Sequence, residues 1–540
     1  MSTIATQDQI LIAKQKEHVF RVKVELLNQA FMPIEEVDGK VSDISFSINN
    51  DSDIRRAGSV TFVLDEGYEI PNDFEASWLD KIVRISIGID NGEVNSGYLH
   101  EELGEFLNSW MAKHTNMWLH GNDYIYFILG SMILLDDSFT YDAETRAMSL
   151  SLVDLMAMGT SARGNQIGYQ VKIPYETDIP EALAAVVSRF MKTKGTSIDE
   201  FPDVIPYDLV SNVGDYPYDI LDMILSLFPY YEHYYDSEGI YHVHVIPMHI
   251  DEDVFLDKDV MDDLIISEER SSSMSNIKNS TEIWGRELVP DFVSTSCIYT
   301  VNDRTYTLGF ISDMQTVEVN ALYSFTPTVT NAADPKIKIN VADETGTVPE
   351  IYSLYDSNGD PLAAGKLVIN RTYVAMCVLD VENNTKKFLL QGEEIIHVIV
   401  REMQEEPSDS EKEADKEENG CDDILYVINP NNPYACDRNG FTISYGEIRQ
   451  VFEGGDYSNI YTTDLAFQRA KYENYLKMRQ NTDVTLTTVL IPFMDVNRKI
   501  EYTSPNTGNA EQYIVKSIDF NILEYTMTMQ LSRFYNYYPF

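Results

Sequence analysis

Apolar and polar residues alternate one for one along the first part of the chain. Phe20, Val22, Val24 and Leu26 alternate with Arg21, Lys23 and Glu25; Ile44, Phe46 and Ile48 alternate with serines. Val60, Phe62 and Leu64 keep the same period, as do Val83, Ile85, Ile87 and Ile89. A period of two places one set of side chains on one face of a strand. The turn sequences DG, DEG and DNG break the runs, so the pattern predicts antiparallel strands with one buried face. A small barrel or sandwich over residues 19–158 closes them and removes exposed edges; residues 1–18 are left as an N-terminal extension.

The period then changes. IPEALAAVVSRFMKTKG sets Leu183, Val186, Val187, Phe190 and Met191 along one helical face, with Pro180 in the first turn and Gly195 past the end. PYDILDMILSLF repeats the spacing with Leu221, Ile224, Leu225 and Phe228, and Pro229 stops it. YYEHYYDSEGIYHVHVIP reads as a hairpin turning at Ser237–Gly239. Residues 159–268 are therefore expected to form an α+β domain. Strand character returns at 276–289 and again from 296 to 404, where Ile337, Ile339 and Val341 alternate with Lys338 and Asn340. Residues 405–418 carry ten charges, a proline and no aromatic; they cannot form a core and read as a solvated linker, 405–419, or a tip loop.

The last segment combines a helix, DLAFQRAKYENYLKMR, with the strands VTLTTVLIPF, QYIVKSIDF and YTMTMQLSRF. Thr462 and Thr463 are its cap candidates, and Leu465, Tyr472 and Leu476 line one side. Residues 127–155 and 513–534 share one plan: strand, polar turn, then alternating strand. Two copies of one barrel would leave such an echo. The expected architecture is mainly β with α+β parts: two similar small β-barrel domains (19–158, and 269–295 with 420–540), the α+β middle domain, and an inserted β-rich module at 296–404.

Length and composition fit several globular domains, with 540 residues, 44% hydrophobic and 11% aromatic. No run approaches the roughly 20 apolar residues that a membrane-spanning helix needs, and the N-terminus has no apolar secretory core. Forty Lys and Arg against 87 Asp and Glu give a formal charge of −47. Such a surface repels phosphate backbones, which argues against groove-type nucleic-acid binding. It serves solubility, or forms a channel wall along which DNA slides without sticking.

The chemistry-bearing patterns are sparse. Cys297, Cys377, Cys421 and Cys436 lack CxxC spacing and read as buried thiols. His242 and His244 share a strand face, with His249 downstream and His233 across the turn; two imidazoles bind zinc when a third ligand converges, but an exposed amphipathic strand explains them as well. DSNGDPLAAG (356–365) has the acidic alternation of a calcium loop without its closing glutamate, so a tight turn is expected. No GxSxG, P-loop or dinucleotide fingerprint is present. The expectation is no enzyme, no cofactor, and no catalytic or metal residues. Thirty-four tyrosines, clustered in FPYYEHYY and FYNYYPF, suit subunit interfaces or carbohydrate surfaces as well as ordinary strands; the terminal FYNYYPF is expected to dock on a neighbouring subunit.

ISFSINNDSDIRRAGSVTFVLD (44–65) followed by WLDKIVRISIGID (78–90) resembles the opening of phage tail-hub proteins. The block from GEIRQVFEGG to QLSRFY resembles the closing barrel of that family. In it a helix of form D-L-A-x-x-R-A (Asp464, Leu465, Ala466, Arg469, Ala470) precedes a strand, a proline and a D-V-N step at Asp495–Asn497. NIKNSTEIWGRE (276–287) is similar to the strand entering that barrel. The segment around Gly365, Leu367 and Tyr373 is similar to small β modules of tail-tip and fibre proteins. The resemblance covers about three quarters of the chain. It implies a homotrimer in which two similar barrels per subunit make a pseudo-sixfold ring, with a tail tube or distal tail protein above and a spike or fibre below. A tape-measure protein is a further candidate partner, and DNA crosses the central channel without specific binding. Its place is the virion tail tip or baseplate, assembled in the host cytoplasm, and a chain that stops after the second barrel fits a pure adaptor. The alternative is a receptor- or carbohydrate-binding tail-tip protein with 296–404 as its binding module.

Overall fold

A computed structural model of the chain describes residues 5–14, 20–37, 39–64, 81–90 and 124–533, apart from 143, 175–176, 202–203, 206–208, 229, 247–252, 274–276, 312–313, 344–345, 357–358, 381–384, 431, 433, 437–446 and 478–480. The tail FYNYYPF and His249 lie outside the described residues. The fold is mainly β, divided into two compact units: residues 1–225, 229–276 and 480–540 make the first, residues 226–228 and 277–479 the second.

The first unit opens with helix α1 (Gln7–Ala13), within the N-terminal extension. The Thr6 hydroxyl accepts the Gln9 N–H at 3.2 Å and the Gln9 side chain accepts the Thr6 N–H at 2.8 Å, a reciprocal cap. Ala5 and Ala13 then join the hydrophobic core, which anchors the segment. Strands β1 (Phe20–Leu27), β2 (Pro33–Glu36), β3 (Gly39–Asn49), β4 (Arg56–Leu64), β5 (Ile82–Asp90), β6 (Tyr124–Asp142) and β7 (Ala147–Val153) follow. The α+β part comprises β8 (Lys172–Ile173), α2 (Ile179–Phe190), β9 (Gly195–Ile198), β10 (Leu209–Val210), α3 (Pro217–Leu225), β11 (Tyr231–Tyr235) and β12 (Ile240–Val245). Asp178 caps α2 through the Glu181 N–H, and the apolar stripe of α2 is buried as expected at Leu183, Val186 and Val187. Short α4 (Lys258–Met261) leads to β13 (Ile265–Ser273).

The second unit holds β14 (Ser280–Glu287), β15 (Phe292–Val293), β16 (Ser296–Thr300), β17 (Thr305–Gly309), β18 (Leu322–Phe325), β19 (Lys336–Asp343), β20 (Gly346–Tyr355), β21 (Tyr373–Asp380), β22 (Thr385–Glu393), β23 (Ile395–Met403), α5 (Asp409–Asn419), β24 (Asp423–Ile428), β25 (Arg449–Glu453) and α6 (Thr463–Lys477). Strands β15 to β22 make an eight-stranded sheet with its own core, built on Tyr306, Tyr323, Phe325, Ile337, Ile339 and Phe388. Three expectations change in this unit. Strand β14 does not enter a second barrel: β23 pairs with it on one side and β25 on the other, in a four-stranded sheet ordered β24-β23-β14-β25. The acidic segment 405–419 is not a plain linker. Ser408 and Glu411 form a capping box, Gly420 ends the helix at φ 60°, and Asp415 takes Arg401 at 2.5 Å and the Tyr426 hydroxyl at 2.6 Å. Helix α6 buries Leu465, Ala466, Ala470 and Tyr475, and with them polar Glu473 and Asn474. Asn474 is buried because it bonds the Thr281 hydroxyl and the Val400 carbonyl of the sheet beneath.

Strands β26 (Asn481–Val489), β27 (Lys499–Thr503), β28 (Ala510–Asn521) and β29 (Thr526–Arg533) return to the first unit. One large sheet runs β13-β26-β29-β28-β3-β4-β7-β6-β5-β1-β2, with β27 on β28. It contains one strand order twice. In the first half β3, β4, β7, β6 and β5 are neighbours in that order; in the second, β13, β26, β29, β28 and β27. The two runs also succeed one another identically along the chain, so β13 corresponds to β3, β26 to β4, and β28 to β6. The second unit is inserted between β13 and β26.

The halves meet where β3 pairs antiparallel with β28, from Phe46 opposite Phe520 to Asn49 opposite Ser517. The two phenylalanine rings meet edge to face, 5.7 Å apart. Phe46 also stands opposite Gly58 on β4, where a Cβ would lie 2.7 Å from the Ser45 carbonyl oxygen. One continuous core from Ile44, Val60 and Leu150 to Leu486, Ile518 and Met529 lies behind the joint. Phe520 is 2% exposed, and removing such a ring from a packed core costs about 3–5 kcal/mol. Phe520→Ala is therefore expected to lower unfolding free energy by that amount in urea titration; a loss below about 1 kcal/mol would show that the joint is not a core element.

Candidate functional site

The outer face of the shared sheet is one continuous polar surface. Its rows follow from strand register. Ser267, Thr487, Thr528, Asp519, Ser47 and Ala57 lie side by side across six strands. The next row is Glu269, Thr485, Gln530, Ser517 and Asn49. Further rows are Ser45, Ser59 and Ser151; Asp43, Thr61, Ser149 and Thr140; and Ser271, Asp483 and Ser532. Between these rows the apolar positions Ile44, Phe46, Ile48, Val60, Val484, Leu486, Ile518, Met527 and Met529 point into the core, because successive side chains on a strand face opposite ways. Hydroxyls bond across the strands, Ser45 with Ser59 and Thr61 with Ser149, each at 2.8 Å.

The charge on this face has one sign. Asp43, Asp142, Asp483, Asp519 and Glu269 are exposed on it, and no arginine stands in these rows. Lys40, opposite Val63 at the far end of β3, is exposed at the rim. Lys499, in register beyond Ser532 and Ile514, is buried, and Lys516 sits out of register in the bulge of β28. The general acidity of the sequence was legible; that these five carboxylates share one sheet face follows only from the registers.

A buried polar cluster joins the α+β part to both halves of the sheet. Arg56, 1% exposed, donates to the Tyr235 carbonyl and to Asp495 at 2.6 Å. Its neighbour Arg55 pairs with Glu232 at 2.5 Å, reaches Asn50 at 2.7 Å, and lies 3.8 Å from the ring centroid of Tyr234. Asn497 donates to the same Glu232 carboxylate and to Asn50. The D-V-N step thus acts here, as a tie between β26 and β27 and the rest of the unit. Asp154 accepts the Arg56 N–H and the Met156 N–H, both at 2.9 Å. Burial nevertheless pushes its carboxyl up to about 6.

The histidines separate into two groups. His242 and His244 hydrogen-bond each other at 2.8 Å and reach Asp236 and Asp199 with their other nitrogens. His233 stands opposite Val243 in the hairpin register, not opposite His242. Burial and the Arg55 charge hold its imidazole down to about 4, and its Nδ1 meets the Tyr241 hydroxyl at 3.1 Å. Among the described residues, no group of three or more His, Cys, Asp or Glu side chains is arranged to hold a metal. In DSNGD, Asp356 accepts the Asp360 N–H at 2.9 Å and Gly359 takes φ 87°, a turn. All four cysteines are free and buried, and burial pushes the Cys297 thiol up to about 12. Tyr235, Tyr241, Tyr306, Tyr323, Tyr502 and Tyr513 are fully buried core residues. Among the described residues, no helix is long and apolar enough to cross a membrane.

Residues 435–538 match a family described as a domain of unknown function, DUF5048. No curated protein matches the chain. Among solved structures it is similar to the 43 kDa tail protein of prophage MuSo2 from Shewanella oneidensis, at 9% identity and TM-score 0.43, covering 95% of this chain and 98% of that one. It is also similar to the tail protein from Neisseria meningitidis MC58, at 6% identity and TM-score 0.42, covering 96% and 99%. A third is the prophage tail protein gp18 from Listeria monocytogenes EGD-e, at 8% identity and TM-score 0.34, covering 94% of each chain.

The raised Asp154 carboxyl makes a signed prediction. The folded state holds that proton more tightly than the unfolded chain, whose carboxyl titrates at 3.8. Its contribution to stability is therefore fully present below about pH 4 and is lost as pH climbs through about 6. Asp154→Asn removes this dependence. Measured against wild type, the variant should gain about 3 kcal/mol in relative stability between pH 3.5 and pH 7; a pH-independent difference would refute the raised value.

Proposed function

We propose that this protein is a structural hub of a phage tail tip or baseplate, acting mechanically and not as an enzyme. Three copies form a ring in which two related β units per chain present six. The ring adapts a hexameric tail tube, or distal tail protein, to a threefold spike or fibre, and its central opening passes DNA during ejection. A tape-measure protein is a further partner of the same opening.

The observation that carries this reading is the repeated strand order fused through a single strand pair. Internally, β3 of one half meets β28 of the other. The counterpart of β3 is β13, which has β26 on one side and, among the described residues, ends the sheet. The counterpart of β28 is β6, where β5 covers residues 124–132 and β7 pairs the remainder along one edge. Repeating the internal joint between copies brings β13 of one chain to the second edge of β6 in the next. The sheet then continues from chain to chain, and closing the ring covers the β13 edge of every copy.

The polar face supplies the channel wall. Phosphates passing it meet hydroxyls and carboxylates and find no row of cations to bind. Small Ser and Thr side chains also project little into the opening, so passage requires few rotamer changes.

Two measurements test this. Native mass determination should find assemblies of three 61.6 kDa chains, with or without the tube protein; a monomer or an even-numbered assembly under both conditions refutes the ring. Particles carrying Glu269→Lys, Asp483→Lys and Asp519→Lys together should eject DNA roughly tenfold more slowly at low salt, with recovery as salt screens the new charges. These positions are exposed, so folding is expected to change little. An unchanged ejection rate would remove the face from the channel.

A further inference from the structure

We infer that His242 and His244 form a binding site for one divalent transition-metal ion, a role independent of the tail function. Strand β12 places residues 242 and 244 on the same face, so the two rings project side by side. His242 Nδ1 and His244 Nε2 face one another at 2.8 Å. Each ring is held by a carboxylate on its far nitrogen: His242 Nε2 to Asp236 at 2.9 Å, His244 Nδ1 to Asp199 at 2.8 Å.

Both carboxylates are themselves fixed. Asp236 accepts the backbone N–H groups of Glu238 and Ile240, each at 2.9 Å, and Asp199 accepts the Val245 N–H at 3.2 Å. A hydrogen bond between two imidazoles needs one donor and one acceptor; it does not need both far nitrogens to be gripped. Carboxylates on the far nitrogens orient metal-binding imidazoles and make them better donors. Here two such pairs converge.

The surroundings suit an ion that enters from one side. His242 is buried, its ring stacked on Tyr234 at 5.3 Å with 15° between planes. The His244 side chain is 22% exposed and Asp199 41%. A tetrahedral ion bonded to nitrogen at about 2.0–2.1 Å holds its two nitrogens about 3.3 Å apart. The more exposed His244 therefore moves by about half an ångström, and the hydrogen shared by the two rings leaves to solvent. Two imidazoles, with water in the remaining positions, select Zn(II), Co(II), Ni(II) or Cu(II) over Mg(II) and Ca(II), which take oxygen. Parallel pairing of β9 with β12 brings Asp199 to the strand, so both second carboxylates belong to this one small sheet.

The experiment uses the full chain. Titration with Co(II), followed by its visible absorption, and calorimetry with Zn(II) should each show one saturable ion per chain that excess Mg(II) does not displace. His244→Gln should weaken binding at least tenfold, and Asp199→Asn about 10–100-fold. The second variant changes a partly exposed side chain, so it serves if the first is unfolded. Absence of saturable Co(II) and Zn(II) binding, displacement by Mg(II), or equal affinity in folded His244→Gln and Asp199→Asn proteins would each overturn the site. None of these outcomes bears on ring formation or ejection.

Discussion

The pairing of β3 with β28 is the constraint on which the first unit depends. It is short, from Phe46 to Asn49 against Ser517 to Phe520, yet it converts two five-strand runs into one sheet over one core. Without it each half would present an unpaired edge and an open apolar flank. With it, the inward residues of both halves interdigitate, and the outward residues line up in rows across the seam. The polar surface is continuous because the register is: Asp519 beside Ser47 sets every row on either side of it.

The buried arginine cluster performs a second kind of joining. Hydrophobic contact holds the halves together but says little about angle. Arg56 reaches Asp495 and the Tyr235 carbonyl through its guanidinium while its backbone N–H meets Asp154, so β4, the 154–159 turn, the β11–β12 hairpin and the β26–β27 connection meet at one arginine. Breaking one arm leaves a charge without water, which is costly. Such a cluster admits few geometries, and it fixes the orientation that the apolar core leaves loose.

Much of this was legible in the sequence, for reasons that also explain what was not. Alternation such as Ile44, Phe46 and Ile48 is readable because each strand buries a single face. The repeat showed faintly in residues 127–155 and 513–534, since the hairpins β6–β7 and β28–β29 are counterparts. Partners of a strand are not encoded in its own alternation, which is why β14 was expected in the wrong sheet. Helix α5 was missed by a criterion based on core formation, although Ser408, Glu411 and Gly420 spelled its two ends. The Arg55–Arg56 pair looks like an ordinary surface turn until Glu232 and Asp495, distant along the chain, close over it. His242 and His244 were visible from spacing; Asp199 was not, because 45 residues separate it from His244.

The placement of the second unit gives the duplicated design an asymmetry. Strands β13 and β26 are direct neighbours, Ser273 opposite Asn481, so the inserted chain leaves and re-enters at adjacent positions of one hairpin. The equivalent corner between β3 and β4 is only a few residues long and is tied inward by Asn50 and Arg55. One corner is committed to internal wiring; its twin is free to carry cargo. The chain can therefore accept a change of length or content at the second corner while the β13–β26 register stays as it is.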